Sequence, residues 1–435
     1  MRKTADSLSL LCWAALIGIA LIWGRWVLGS GKQALIHTPP FTGPWAPRID
    51  ERAWGAIATG AAVVIWGPRA TRILPWRWLL IASAVVAAVW AVCLAWIDGT
   101  HTLVQPLLSR FDYLHELPKV ANLGSFVRTF VPHILDYNTQ IRGHPPGFEL
   151  LLWVMDRAGL QGARPEAALV IAGGAAAVPA ALLATREVAG ERTARGAAPF
   201  LAVAPMAVTI ASSADALYMG VGAWGLALMV LATGREGRRE IAFSLAGGAV
   251  FGCGLLLTYG LAPLAAIPVV VAVARRRLLS LLLGAVGIAV VLGAFAAAGF
   301  WWLAGLERTR AIYDHNVGSH RPYSYFLIGD LAVLAVMVGP ATAAGVGRLV
   351  QEVAAEGGIR RPSVLLLVVG ALLAVAAADL SGLSKGEVER IWLPFAPWLL
   401  VSCALLPETG TSQNLWLGAN VLTGLLFQLL LRSPF

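Results

Sequence analysis

Residues 78–97 read WLLIASAVVAAVWAVCLAWI, twenty positions without a charge, set between Arg77 and Asp98. A hydrocarbon core about 30 Å thick takes ~20 apolar residues in a helix. This stretch has that length, with tryptophan near both ends, where membrane interfaces favour it. It has no polar face to turn toward water. It reads as a membrane-spanning helix, and the same reading extends along the chain in both directions.

Thirteen such spans are expected, at residues 8–28, 53–66, 78–97, 167–184, 197–211, 216–232, 241–259, 261–274, 278–304, 326–346, 364–378, 391–406 and 415–431. Composition agrees: of 435 residues, 58% are hydrophobic and only 13% charged, too few charges to clothe a soluble domain. The fold class is therefore an all-α integral membrane protein. Its longest non-membrane segment is the loop 98–166. Met1-Arg2-Lys3 leads into an apolar run through Leu28 with no small-residue cleavage site, so this run reads as a first anchor. The four cysteines, Cys12, Cys93, Cys253 and Cys403, all lie in apolar segments and form neither a disulfide framework nor a metal spacing. The net charge of +9 does not mark a nucleic-acid binder, because the basic residues sit at span ends and no basic helix carries interleaved aromatics.

Lysine and arginine in short links set the orientation. With the N-terminus in the cytoplasm, the cytoplasmic links carry Arg69/Arg72/Arg77, Arg186/Arg192/Arg195, Arg235/Arg238/Arg239, Arg275/Arg276/Arg277 and Arg348/Arg360/Arg361. Asp98, Asp112, Glu116, His144, Asp215, His320, Arg321, Lys385, Glu387 and Arg390 then all fall on the outer face. Polar residues from distant parts of the chain converging on one surface point to a site built on the outer helix ends. The expected location is the plasma membrane, multi-pass, with the site extracytoplasmic.

Within the loop, Asp112 and Glu116 share one face if that stretch is helical, and Asp98 competes with them where the third span leaves the membrane. RGHPPGFELLLW, at 142–153, starts a helix at Pro145-Pro146. That helix suits the outer leaflet, with Trp153 near the headgroups. His144 is either a capping residue or part of a site. Asp215, in SSADALYMG between two spans, either caps the next helix or is paired in a wet cavity. Lys385, Glu387 and Arg390 precede a proline-broken span, where a guanidinium can grip a phosphate through two parallel hydrogen bonds or snorkel to lipid. His320, Arg321 and Tyr323 join the same face and suit a sugar or a phosphate.

The order of these elements resembles the GT-C superfamily of membrane glycosyltransferases. The nearest likeness is to the protein O-mannosyltransferase and aminoarabinose transferase-like branch, with actinobacterial-type mannosyl- or arabinosyltransferase relatives. Asp112 stands where that family's loop motif has its catalytic acid. His144-Pro145-Pro146 matches its HPP segment, with Gly147 for the usual leucine. Asp215 matches the acid that opens a later span, and Arg390-Ile391-Trp392-Leu393-Pro394 the late R-Y-L-x-P run. The second acid of the usual adjacent pair is replaced by Tyr113, with Glu116 as a substitute. The resemblance runs from about Trp78, which makes residues 1–76 an N-terminal two-helix addition to a catalytic domain at 77–435.

The resemblance implies a GT-C-like fold whose large outer loop carries juxtamembrane helices, and a polyprenyl-phosphate sugar (mannose or arabinose) as donor. The acceptor would be a glycan, a lipid or a protein, with membrane lipids around the donor tail and no nucleic acid. Asp112, or else Asp98, would be the base of an inverting transfer. Arg390, with Lys385 or Arg321, would offset charge on the leaving phosphate. Asp215 and Glu116 would orient the acceptor, or Asp112 and Asp215 would hold a divalent cation such as Mg2+ or Mn2+. The rival classes are a secondary transporter or flippase, and a ligase or polymerase of lipid-linked glycans.

Overall fold

A computed structural model of the chain describes residues 2–30, 34–49, 51–356, 364–407 and 410–432; Arg360 and Arg361 lie outside these. Each of the thirteen expected spans falls on a helix or on a helix broken midway. Seven of the described helices are long and apolar enough to cross a membrane, nine if each of two bent pairs is one span, and two shorter apolar helices cover 259–274 and 365–381. The expected span 278–304 is shorter than the sequence suggests. Its helix Leu278–Ala297 ends where Gly299, at φ +105°, turns the chain into a separate helix, Trp302–His315. Among the described residues there are no strands, only two isolated bridges.

Both bends sit at prolines, which remove an amide donor and clash with the preceding turn. Helix Glu191–Ala202 bends by 61° into the 3-10 turn Pro205–Ser212. Trp90 Nε1 donates to the carbonyl of Ala204 at the break, 3.1 Å away. Helix Tyr323–Val338 turns by 102° into Pro340–Ala355. There the fully buried Asn420 accepts from the Ala341 amide and donates to the Val338 carbonyl. Broken backbone at membrane depth persists only where such partners are supplied.

The helices differ sharply in burial. Buried residues make up 83% and 78% of the apolar 18-residue stretch of Asp215–Ala232 and of Val388–Leu405, but only 11% and 17% of that of Asp6–Gly29 and of Leu278–Ala297. The first two form the centre of the bundle, and the latter pair presents leucine, isoleucine and valine outward as lipid-facing helices do. Close approach in the centre depends on small residues: a Cβ on Gly220 would run into the Gly173 backbone, and one on Gly248 into that of Gly284.

The two ends of the bundle carry different chemistry. At one end the basic links knit together. Arg195 donates to the carbonyls of Thr71 and Leu74, Arg186 pairs with Glu191, and Arg235 and Arg275 share Glu187. At the other end lie the loop after Trp96, the start of Asp215–Ala232 and the start of Val388–Leu405. The segment 34–48, between the first two helices, runs across this second end as a strap. Its backbone bonds to the last helix through Ala46, Arg48 and Arg432.

Candidate active site

At the second end a cavity of about 370 Å³ is lined by Asp112, Tyr113 and His144 from the loop, Ser213, Asp215 and Tyr218 from the start of a central helix, and Glu387 and Arg390 from the last outer link. Five of the residues singled out in the sequence are thereby brought into one space.

Arg390 is held from two sides. Its Nη1 donates to Asp215 Oδ2 at 2.9 Å and its Nη2 to Glu387 Oε2 at 2.8 Å. The other oxygen of Glu387 accepts from Arg321 Nη2 at 2.8 Å, which makes an alternating ladder of four charges. The two guanidinium groups hold the Glu387 carboxyl down at about 2 against its burial. Glu387 itself sits at φ +61°, a left-handed conformation that a non-glycine residue keeps only when its surroundings fix it. The surroundings do so here. Gly386 N donates to Asp330, Trp392 Nε1 donates to Ser384, and Glu389 accepts the amide and hydroxyl of Thr42 from the strap. On the opposite flank, Ser213 donates to Asp215 and the helix N-terminus at Ser213–Asp215 faces the cavity.

Asp112 caps the short turn Tyr113–His115 by accepting the Tyr113 amide at 2.7 Å. Burial is the largest influence on its carboxyl. The Tyr113 amide and Arg390 oppose burial, Asp215 adds to it, and the net effect raises the carboxyl to about 6. Beneath it lies an aromatic floor. Tyr218 donates to the Tyr113 hydroxyl at 3.0 Å, and the His144 ring stands between the two, 5.9 and 5.7 Å from their ring centroids. His144 Nδ1 donates to the Gln140 carbonyl at 2.8 Å. Burial lowers the imidazole pKa, so the neutral ring keeps Nε2 as an acceptor.

The HPP segment starts a helix as expected, Gly147–Arg157. Gly147 is required there because a Cβ would meet the Leu256 carbonyl of a neighbouring helix. The Trp153 indole donates to the Val120 carbonyl.

Other sequence candidates stand elsewhere. Asp98 is tied to Arg48 and to Gln428 Nε2, outside the cavity. Asp112 and Glu116 do not share a helical face, because the chain forms two 3-10 turns there and Glu116 pairs with Lys119. Lys385 Nζ donates to the Gly318 carbonyl and Tyr323 to that of Leu380, while His320 is exposed; none of the three lines the cavity. Arg321 is one step behind it, at the end of the ladder. Among the described residues no group of three or more His, Cys, Asp or Glu is arranged to hold a metal ion. Asp215 is spent on Arg390 and Ser213, and one oxygen of Asp112 on its cap.

Sequence reasoning missed Tyr113, Tyr218, Ser213 and Gln140. Tyr218 was accessible to it, since position i+3 from Asp215 shares its helical face. It also missed Glu149 and Glu166, which are buried at 1% and 0% exposure with neither carboxyl oxygen partnered among the described residues. Burial pushes Glu149 up to about 8, with Glu116 and Asp112 adding to the shift.

No family model and no curated protein matches the chain. Among solved structures, ArnT from Cupriavidus metallidurans bound to undecaprenyl phosphate superposes with a TM-score of 0.50 at 18% identity, over 76% of this chain and 59% of that one. The oligosaccharyltransferase of Archaeoglobus fulgidus in complex with zinc and sulfate gives a TM-score of 0.47 at 15% identity, over 82% of this chain and 54% of that one. The chain thus spans well under two thirds of the length of either. Over that span the chain shares the fold of the ArnT structure.

Proposed function

We propose that this chain transfers a sugar from a polyprenyl-phosphate donor to an acceptor hydroxyl, at the extracytoplasmic face of the plasma membrane. The observation that carries the reading is one cavity lined both by a carboxylate near neutrality, Asp112, and by an anchored guanidinium, Arg390. The undecaprenyl phosphate of the ArnT structure is the kind of lipid phosphate that such a donor releases on transfer.

Asp112 takes the proton from the acceptor hydroxyl. The freed oxygen forms its bond to the anomeric carbon as the bond from that carbon to the phosphate oxygen breaks. The electron pair leaves with the phosphate, and the configuration inverts. Arg390, oriented by Asp215 and Glu387, faces the departing phosphate. The ladder as a whole is charge-neutral, so the helix N-terminus at Ser213–Asp215 adds the positive end that favours an anion there. The basic links at the opposite end of the bundle support a cytoplasmic side there, with the cavity facing outward.

The test uses the full chain in lipid nanodiscs with radiolabelled polyprenyl-phosphate mannose and polyprenyl-phosphate arabinose, with and without a divalent cation. Donor binding or turnover by the wild type, with binding weakened by Arg390→Ala and turnover abolished by Asp112→Asn, is the expected result. Binding of a lipid diphosphate glycan alone would move the assignment to a ligase. No binding of any lipid-linked sugar would overturn the reading.

A further inference from the structure

Phe111 stands on the rim of the cavity, immediately before Asp112, and is 52% exposed. A single exposed phenylalanine is ordinarily unremarked surface. This one is built in. The guanidinium of Arg110 lies over its ring, 4.7 Å from the centroid. Its amide donates to Ser109 Oγ and its carbonyl accepts from the Gln140 amide. On either side of it, Asn138 Nδ2 donates to the carbonyls of Arg110 and Asp112, at 3.4 and 2.6 Å. The strand of chain that carries the ring is therefore pinned from 138–140. From the same two segments, Ser109, Thr139 and Gln140 bring two hydroxyls and an amide without charge to the cavity lining.

An apolar ring on a rigid backbone, bordered by neutral donors and acceptors, matches a sugar ring. Such a ligand has an apolar C–H face to lay on the aromatic and hydroxyls around its edge for Ser, Thr and Gln. A cavity of about 370 Å³ is on the scale of small-molecule sites. We infer that Phe111, Ser109, Thr139 and Gln140 form the acceptor subsite, and that the acceptor is a carbohydrate whose ring stacks on Phe111 with one hydroxyl directed at Asp112. The inference rests on the transferase reading of the same cavity and names its second substrate. Phe111 is a positioning residue in it.

The measurement is saturation-transfer NMR on the full chain in nanodiscs, without donor, using methyl glycosides of mannose, glucose, galactose and arabinose. At least one should bind the wild type. Its Kd should rise about tenfold in Phe111→Ala, the scale of one aromatic contact. It should return to near the wild-type value in Phe111→Tyr, which keeps the aromatic ring. Undiminished binding to Phe111→Ala overturns the subsite, and so does the absence of binding to the wild type. If a glycoside binds in a Phe111-dependent way while no lipid-linked sugar binds, the donor assignment fails and the carbohydrate subsite stands.

Discussion

If Asp112 is the base, acidity should switch the transfer off at a pH set by its surroundings. Its carboxyl is pushed up from the usual 3.8 to about 6, chiefly by burial. The rate at limiting substrate should then be flat above pH 7 and fall below pH 6. At pH 5 about a tenth of the carboxyls remain ionised, so kcat/KM drops about tenfold from its plateau. The donor does not confuse this measurement, because a lipid-phosphate sugar is a phosphodiester and lacks the second ionisation near pH 6 of a phosphate monoester. Asp112→Asn should lower the plateau by roughly 10²–10⁴-fold and abolish the limb. Asp215→Asn should move the limb to lower pH, because it removes the charge that raises Asp112 and leaves Arg390 less neutralised. The assay is transfer of labelled sugar in nanodiscs across pH 4.5–8.5. An acid limb near the ordinary carboxylate value, or one that persists in Asp112→Asn, would refute the assignment.

Glu387→Gln leaves the buried Arg321 guanidinium without its carboxylate, at a cost of about 3–5 kcal/mol. Thermal unfolding should show that loss, and adding Arg321→Leu to Glu387→Gln should recover part of it; strictly additive losses would speak against the ladder. Glu149 has its folded pKa raised to about 8. The protonated carboxyl therefore favours the fold below its unfolded value of about 4.5, and that contribution is lost as pH rises through about 8. The advantage of Glu149→Gln over wild type should grow across that window to at most ~5 kcal/mol, read as a difference in Tm; a difference independent of pH would count against it. Gly147→Ala drives a methyl into the Leu256 carbonyl and should destabilise by ~1–3 kcal/mol. Gly143→Ala, with nothing within 4 Å of its Cβ, serves as the neutral comparison.

Reading along the chain finds the helices because every residue of an apolar run reports on it, and all thirteen expected segments are helical. It finds Asp112, His144, Asp215, Glu387 and Arg390 because a charge or a histidine beside such a run is conspicuous. It does not find pairings. Asp98 and Asp112 look alike in sequence, yet Asp98 is claimed by Arg48 and by Gln428, 330 positions away. Among the described residues, the hydrogen bond to the Asp112 carboxylate comes from its own neighbour's amide. The distinction is long-range and has no local signature. The aromatic floor is hidden for a related reason: tyrosine in an apolar segment reads as packing until its hydroxyl partner is known. The bends were legible only as prolines, since whether a proline breaks a span depends on groups such as Asn420 that receive the freed backbone.

The ladder and the strap bear on how the molecule is made. Thr42 waits for Glu389, 347 positions later, and Asp215 for Arg390, 175 positions later. A chain inserted from its N-terminus carries the Asp215 carboxylate into the membrane long before its counter-charge exists, a costly interim state. The cavity is then among the last parts of the protein to acquire its shape. Substitutions in 384–394 should therefore reduce the yield of mature protein as well as its turnover, and expression level becomes a readout of the site.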